Sequence, residues 1–147
     1  MTATSGQFRM MHTMIRVFDL DRSIKFYTEL LGMKLLRKDD YPGGKFTNAF
    51  VGYGPEETDT VVELTYNWDP ETYTGGRNFG HLAYEVDDIY ALCASLQKAG
   101  VVINRPPRDG RMAFIRTPDA ISIELLQKGQ AKAPAEPWLS MPNTGVW

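Results

Sequence analysis

The sequence predicts an α+β fold built from two tandem βαβββ units. Three observations support this. A short alternating strand followed at once by an amphipathic helix occurs twice, three strand-like segments follow each helix, and both helices end at a glycine. The segment HTMIRVFDL at 12–20 is matched by HLAYEVDDI at 81–89. A repeat of this length indicates that one supersecondary unit has been duplicated.

The first unit is predicted over residues 10–66, and it begins with a strand whose side chains alternate between two faces. Ile15 and Val17 form its apolar face, whereas His12 points the other way. Asp19 is a suitable N-cap residue for the helix that follows. The helix is predicted to end at Gly32, and the other strands are predicted over 33–37, 46–53 and 60–66, with a turn at 39–45.

The second unit is predicted over residues 80–128, after a linker at 67–79 that is rich in turn-forming residues. A strand at 81–86 precedes Asp88, the expected N-cap of a helix that ends at Gly100. Three further strands are predicted over 101–104, 112–116 and 122–126.

The two ends of the chain lie outside the repeat. Residues 1–9 are predicted to be a flexible lead-in. Residues 129–147 form a Pro- and Ala-rich C-terminal arm with no apolar periodicity. We expect this arm to lie along a surface, held there by Trp138 and Trp147.

Composition excludes several classes of partner for this chain of 147 residues. A formal net charge of −2 argues against nucleic-acid and anionic-membrane partners, which normally require a basic surface. The only cysteine, Cys93, falls on the apolar helix face and is expected to be a buried free thiol. No apolar run is long enough to cross a bilayer, and the first residues lack a secretory signal, so a cytoplasmic location is predicted.

Four residues are predicted to lie on the sheet faces that the helices leave open. The single helix of each unit covers one face of its strands, and the alternation puts His12 and His81 on the opposite face. These are the only two histidines in the chain. The same alternation puts Glu63 and Glu124 on the open face. Glutamate is a poor strand former, so its place among Val, Leu and Ile indicates pairing or metal binding.

These four side chains suggest a shared metal site. A strand histidine alone is more often a hydrogen-bonded residue, and a strand glutamate alone is more often a solvated one. Their match under the repeat favours a common role. A pseudo-twofold arrangement of the units would gather two imidazoles and two carboxylates around one point. That donor set suits nickel, cobalt or zinc, whereas calcium and magnesium rarely accept two histidines.

The stretches HTMIRV, SIKFYTELLGM, ELTYNW, RNFGH, MAFI and SIELL resemble the glyoxalase I (lactoylglutathione lyase) family of the vicinal oxygen chelate superfamily. The resemblance spans about residues 10–127. It implies the metal ligands His12, Glu63, His81 and Glu124, with Glu124 as the principal base and Glu63 as its partner. It also implies metal-dependent isomerisation of the methylglyoxal–glutathione hemithioacetal to S-D-lactoylglutathione through an enediolate.

The same resemblance implies the remaining features of the site. Arg16, Asn67 and Arg77 would contact glutathione, and the compact linker is similar to that of members that prefer nickel or cobalt, with zinc possible. The family commonly forms homodimers in which an eight-stranded curved sheet or barrel surrounds each metal. His12 and Glu63 would then come from one subunit, and His81 and Glu124 from the other.

The sequence also departs from the family pattern and leaves rival functions open. Ala120 stands where the family usually has a turn glycine, and Ile121 stands where it usually has a tyrosine, which bears on the shape of the substrate pocket. A methylmalonyl-CoA epimerase, an extradiol dioxygenase and a metal-free binding protein share the fold. An iron site of two histidines and one carboxylate would need only one of the two glutamates.

Overall fold

The computed structural model describes residue 2 and residues 5–147, which fall into two compact units that divide between Thr72 and Tyr73. Each unit contains one mixed β-sheet and one main helix, so the predicted α+β class is confirmed. Within the described residues, no helix is both long and apolar enough to cross a membrane.

The first unit contains a four-stranded sheet with strand order β1-β4-β3-β2. The first and last strands in sequence lie side by side in parallel, and the other neighbours are antiparallel. Its elements are β1 (His12–Arg16), α1 (Leu20–Lys25) with a π-helical continuation (Phe26–Leu30), β2 (Lys34–Tyr41), β3 (Phe46–Gly52) and β4 (Val61–Asn67).

The second unit repeats this plan with three strands in the order β5-β7-β6. Again the first and last strands are parallel neighbours. Its elements are β5 (His81–Val86), α2 (Ile89–Lys98), β6 (Met112–Arg116) and β7 (Ser122–Gln127).

Both helices begin and end where the sequence predicts. Asp19 accepts a hydrogen bond from the backbone N–H of Arg22, and Asp88 accepts from those of Tyr90 and Ala91. Gly32 and Gly100 follow the helices with φ of 69° and 89°, the left-handed conformation that glycine adopts without steric cost.

The helix-facing side of each sheet forms the apolar core. In the first unit this core contains the fully buried Tyr27 and Leu64. In the second it contains Cys93, Ile123 and Leu125, all fully buried. Burial raises the pKa of the Cys93 thiol to about 12, so the predicted buried free cysteine is confirmed and stays protonated at neutral pH.

Two strand predictions were wrong. Residues 101–104 do not form a strand; pairing with β6 is confined to an isolated bridge at the next residue, between Arg105 and Phe114, and Pro106 and Pro107 have no N–H to extend the ladder beyond it. The second sheet therefore has three strands. Conversely, β2 continues through Asp39–Tyr41, where a turn was predicted, because Tyr41 stacks on Phe46 at 4.8 Å across the hairpin.

Candidate functional site

The first unit brings one histidine and one glutamate together on its open face. The parallel register of β1 and β4 places Met14 opposite Glu63 and His12 one pleat away on the same side. His12 Nε2 lies 2.8 Å from Glu63 Oε2. The distance follows from the register, because neighbouring strands place same-face side chains two residues apart within reach of each other.

The second unit forms the equivalent pair on its own sheet. The register of β5 and β7 places Ala83 opposite Glu124 and His81 one pleat away. His81 Nε2 lies 3.5 Å from Glu124 Oε1. Two separate sheets therefore produce the same juxtaposition, which the repeat in the sequence predicts.

In both pairs the imidazole is more accessible than the carboxylate. The His12 and His81 side chains are 37% and 41% exposed, whereas those of Glu63 and Glu124 are 15% and 17% exposed. In the described part of the chain, no group of three or more His, Cys, Asp or Glu side chains is gathered for a metal ion. Each unit thus presents one nitrogen and one oxygen donor, which is half of the predicted four-ligand set.

The donor chemistry fits a divalent transition metal. Two imidazole nitrogens and two carboxylates from two such pairs suit nickel, cobalt or zinc, with coordination positions left for oxygen ligands. The exposed His12 and His81 rings can supply Nε2 without any rearrangement of the core. The assignment of all four residues as ligands remains a prediction.

A phenylalanine that was not predicted from the sequence contacts the ring of each histidine. Phe50 on β3 is directly opposite Glu63, and Phe114 on β6 is directly opposite Glu124. Their rings meet the imidazoles edge-on, with centroids 5.8 Å apart at His12 and 5.2 Å apart at His81. An Ala-Phe dipeptide in both strands, at 49–50 and 113–114, was the sequence signal that could have revealed them.

The predicted substrate-binding residues are distributed over both units. Arg16 is exposed at the end of β1, on the side of His12, and Asn67 ends β4 and donates to Glu71 Oε2 at 3.1 Å. Arg77 belongs to the second unit. The guanidinium groups of Arg16 and Arg77 have no hydrogen-bond or ion-pair partner among the described residues.

Arg77 lines a cavity of about 320 Å³ beside the strand end that carries His81. Arg116 also lines it, although the sequence analysis did not single this residue out. Ala120 at the rim has φ of 61°, a left-handed conformation that suits the glycine usual in the family better than alanine. The cavity wall is completed by Gly75, Gly76, Phe79, Gly80, Ile121, Ser122, Val146 and Trp147. Apart from Gly and Ser, the other wall residues are apolar, so the two arginines are its charged side chains and favour a ligand with a carboxylate.

Known proteins similar to this chain include curated lactoylglutathione lyases. That of Neisseria meningitidis is 50% identical over 125 residues, which cover 82% of this chain and 91% of the relative. A probable lactoylglutathione lyase of Vibrio cholerae is 47% identical over 133 residues, which cover 87% of this chain and 96% of the relative. Among solved structures, the trypanothione-dependent glyoxalase I of Leishmania major matches with a TM-score of 0.79 and 53% identity, over 82% of this chain and 87% of that one.

The family profile gives the same result over most of the sequence. The profile of the Glyoxalase/Bleomycin resistance protein/Dioxygenase superfamily matches residues 9–125, a range that contains both histidines and both glutamates of the paired sites. The C-terminal arm at 129–147 lies outside the match. The chain belongs to the Glyoxalase/Bleomycin resistance protein/Dioxygenase superfamily.

Proposed function

We propose that the protein is a lactoylglutathione lyase (glyoxalase I), which isomerises the methylglyoxal–glutathione hemithioacetal to S-D-lactoylglutathione. The observation that carries the proposal is the repeated His–Glu pair on the open face of both sheets. It occurs in a chain that is 50% identical to a curated lactoylglutathione lyase. A metal-free binding protein would not need a matched nitrogen and oxygen donor in each half.

The proposed holoenzyme is a cytoplasmic homodimer with one divalent metal at each site, nickel or cobalt in preference to zinc. His12 and Glu63 of one subunit and His81 and Glu124 of the other would hold the ion. Each unit presents one histidine and one glutamate, and the family commonly completes such a site with a unit of a second chain, so a second copy of the chain is the proposed source of the complementary pair. The sheets of the two chains would then enclose the site together.

Glu124 is the proposed principal base, and Glu63 is its partner. When bound, the metal would supply Lewis acidity that polarises the two substrate oxygens and makes the C1–H bond more acidic. Glu124 removes the proton from C1, the carbon that carries sulfur and hydroxyl, and a proton is returned to C2, the former carbonyl carbon. The hydroxyl proton passes from the C1 oxygen to the C2 oxygen, so the thioester product is an isomer of the substrate.

Three side chains are proposed to orient glutathione. Arg16 and Arg77 offer guanidinium groups that have no carboxylate partner in the described part of the chain, and Asn67 offers an amide at the end of β4. Arginine binds a carboxylate through two parallel hydrogen bonds, so these residues suit the charged ends of the tripeptide. Orientation of this kind brings C1 towards the base.

The test is an assay of thioester formation from methylglyoxal and glutathione. Metal-stripped protein should be inactive, and activity should return with nickel or cobalt more than with zinc. If the protein binds a metal but forms no thioester with any of the three ions, the proposed reaction is wrong.

A further inference from the structure

The rings that lie behind the two histidines are covered by different residues. In the first unit, the guanidinium of Arg37 lies over Phe50, with Cζ 3.8 Å from the ring centroid. Arg37 is fixed there by two hydrogen bonds to Glu56, of 2.7 and 3.1 Å, and by one of 2.7 Å to Asp39. Arg37 therefore covers one face of the Phe50 ring and holds the ring in place.

The equivalent arginine of the second unit does not cover its phenylalanine. The backbone of Arg105 forms an antiparallel bridge with that of Phe114, just as Arg37 is the antiparallel strand partner of Phe50. Its guanidinium turns away, however, and donates to the backbone oxygen of Met112 and to Asp109. Trp147 from the C-terminal arm stacks on Phe114 instead, with centroids 5.7 Å apart and an interplanar angle of 22°.

The arm that delivers Trp147 is fastened to the second unit along its length. Trp138 is 4% exposed and stacks on Tyr90. The backbone oxygen of Met141 accepts a hydrogen bond from the side chain of Arg108 at 2.9 Å. The backbone N–H of Thr144 donates to the backbone oxygen of Asn104 at 2.8 Å, and the backbone oxygen of Thr144 accepts from the side-chain amide of Asn104 at 2.9 Å. These contacts fix the direction of the chain only three residues before Trp147.

We propose that Trp147 is a positioning residue for His81, acting through Phe114. The three rings form a continuous row in which Trp147 supports Phe114 and Phe114 meets the imidazole edge-on. Phe114 lies on β6, which is an edge strand because the predicted fourth strand is missing. The arm thus replaces in the second unit the cover that Arg37 gives in the first. The positioning of His81 by Trp147 does not depend on the proposed function, whereas its effect on metal binding rests on that function.

Nuclear magnetic resonance of the histidine rings in metal-free protein tests the positioning directly, because the chain has only two histidines. Trp147→Ala should shift or broaden the His81 ring signals and leave those of His12 unchanged. Trp147→Phe should restore the His81 signals. Arg37→Ala is the mirror-image control and should move His12 alone, and Leu139→Ala, an exposed change elsewhere in the arm, should move neither. Unmoved His81 signals in Trp147→Ala, or equal movement of both histidines, would overturn the proposal.

Nickel titration then measures the consequence for the metal site. Changes in the groups that orient metal ligands commonly weaken binding, so we expect Trp147→Ala to lower nickel affinity about tenfold, with recovery in Trp147→Phe. Unchanged affinity would overturn the link to the metal. A wild-type protein that binds no nickel would contradict the proposed function, whereas the histidine spectra decide the role of Trp147 without any metal.

Discussion

At the scale of single residues, the site depends on which side of a strand each side chain occupies. His12 lies opposite the face of the buried Ile15, and Glu63 lies opposite the face of the buried Leu64. A shift of one residue in either strand would move the pair into the core. The apolar neighbours therefore position the polar pair, and burial of their side chains stabilises that register.

Removing the proposed base tests the residue assignments. Glu124→Gln keeps the size of the side chain but removes its proton acceptor, so kcat should fall about a hundredfold or more at saturating metal. Glu85→Gln is the matched control, since Glu85 is an exposed glutamate on the same face of β5 as His81, and its kcat should equal that of the wild type. Steady-state kinetics of both variants decide the point. Wild-type kcat in Glu124→Gln would exclude this residue as the base.

The positions of the polar pairs could be predicted from the sequence, but their surroundings could not. Alternation within one strand is a local property, and it indicated the open face correctly for His12 and His81. The contact of Phe114 with His81 depends on register between strands. The contact of Trp147 with Phe114 depends on the path of an arm without periodicity. No local pattern encodes either of these contacts.

At the scale of elements, the repeat is clearest where each helix starts. Asp19 and Asp88 each have an extended backbone conformation, and the side chain of each caps the helix that follows. Gln127 secures the second junction further, because its side chain accepts from the Ile89 N–H at 2.9 Å and donates to the Asp87 oxygen at 2.7 Å. These contacts fix the step from β5 into α2, the helix that covers the core face of the second sheet.

The cap at Asp88 predicts a pH-dependent contribution to stability. The backbone N–H of Ala91, together with Lys132 and Tyr90, holds the pKa of Asp88 below its usual 3.8. A lowered folded-state pKa means that the stabilisation is complete above 3.8 and disappears as pH falls through the folded value. Asp88→Ala should therefore lower the urea midpoint at neutral pH by more than it does in acid.

The neighbouring aspartate provides the control for this experiment. Asp87 is exposed and does not cap α2, so Asp87→Ala should leave the urea midpoint nearly unchanged at both pH values. An equal loss of stability in Asp88→Ala at neutral and acid pH would show that its carboxylate charge does not stabilise the helix start.

The errors in predicting strands also belong to this scale. Residues 101–104 have the β-branched, apolar composition of a strand, but pairing is confined to one bridge at Arg105, and the two prolines after it cannot extend the ladder. The polar run at Asp39–Tyr41 has the composition of a turn, but pairing with β3 keeps it extended. In both cases pairing with a neighbouring strand determines whether the segment is a strand, and the sequence of one segment does not show which strand it pairs with.

At the scale of the whole molecule, the two units carry the same pair of functional groups. The first contributes His12 with Glu63, and the second contributes His81 with Glu124. The proposed enzyme needs all four around one metal, and we propose that the second pair comes from another copy of the chain. Duplication of one unit explains why the chain places its only histidines at equivalent points.

Subunit mixing tests this central claim most directly. Glu63→Gln and Glu124→Gln chains, each inactive alone, are produced together with different tags, and thioester formation is measured on the purified mixed dimers and on the total pool. If each site takes one pair from each chain, every mixed dimer has one intact site, and random pairing restores about a quarter of wild-type activity to the pool. Mixed dimers that form but remain inactive would contradict a site shared between subunits.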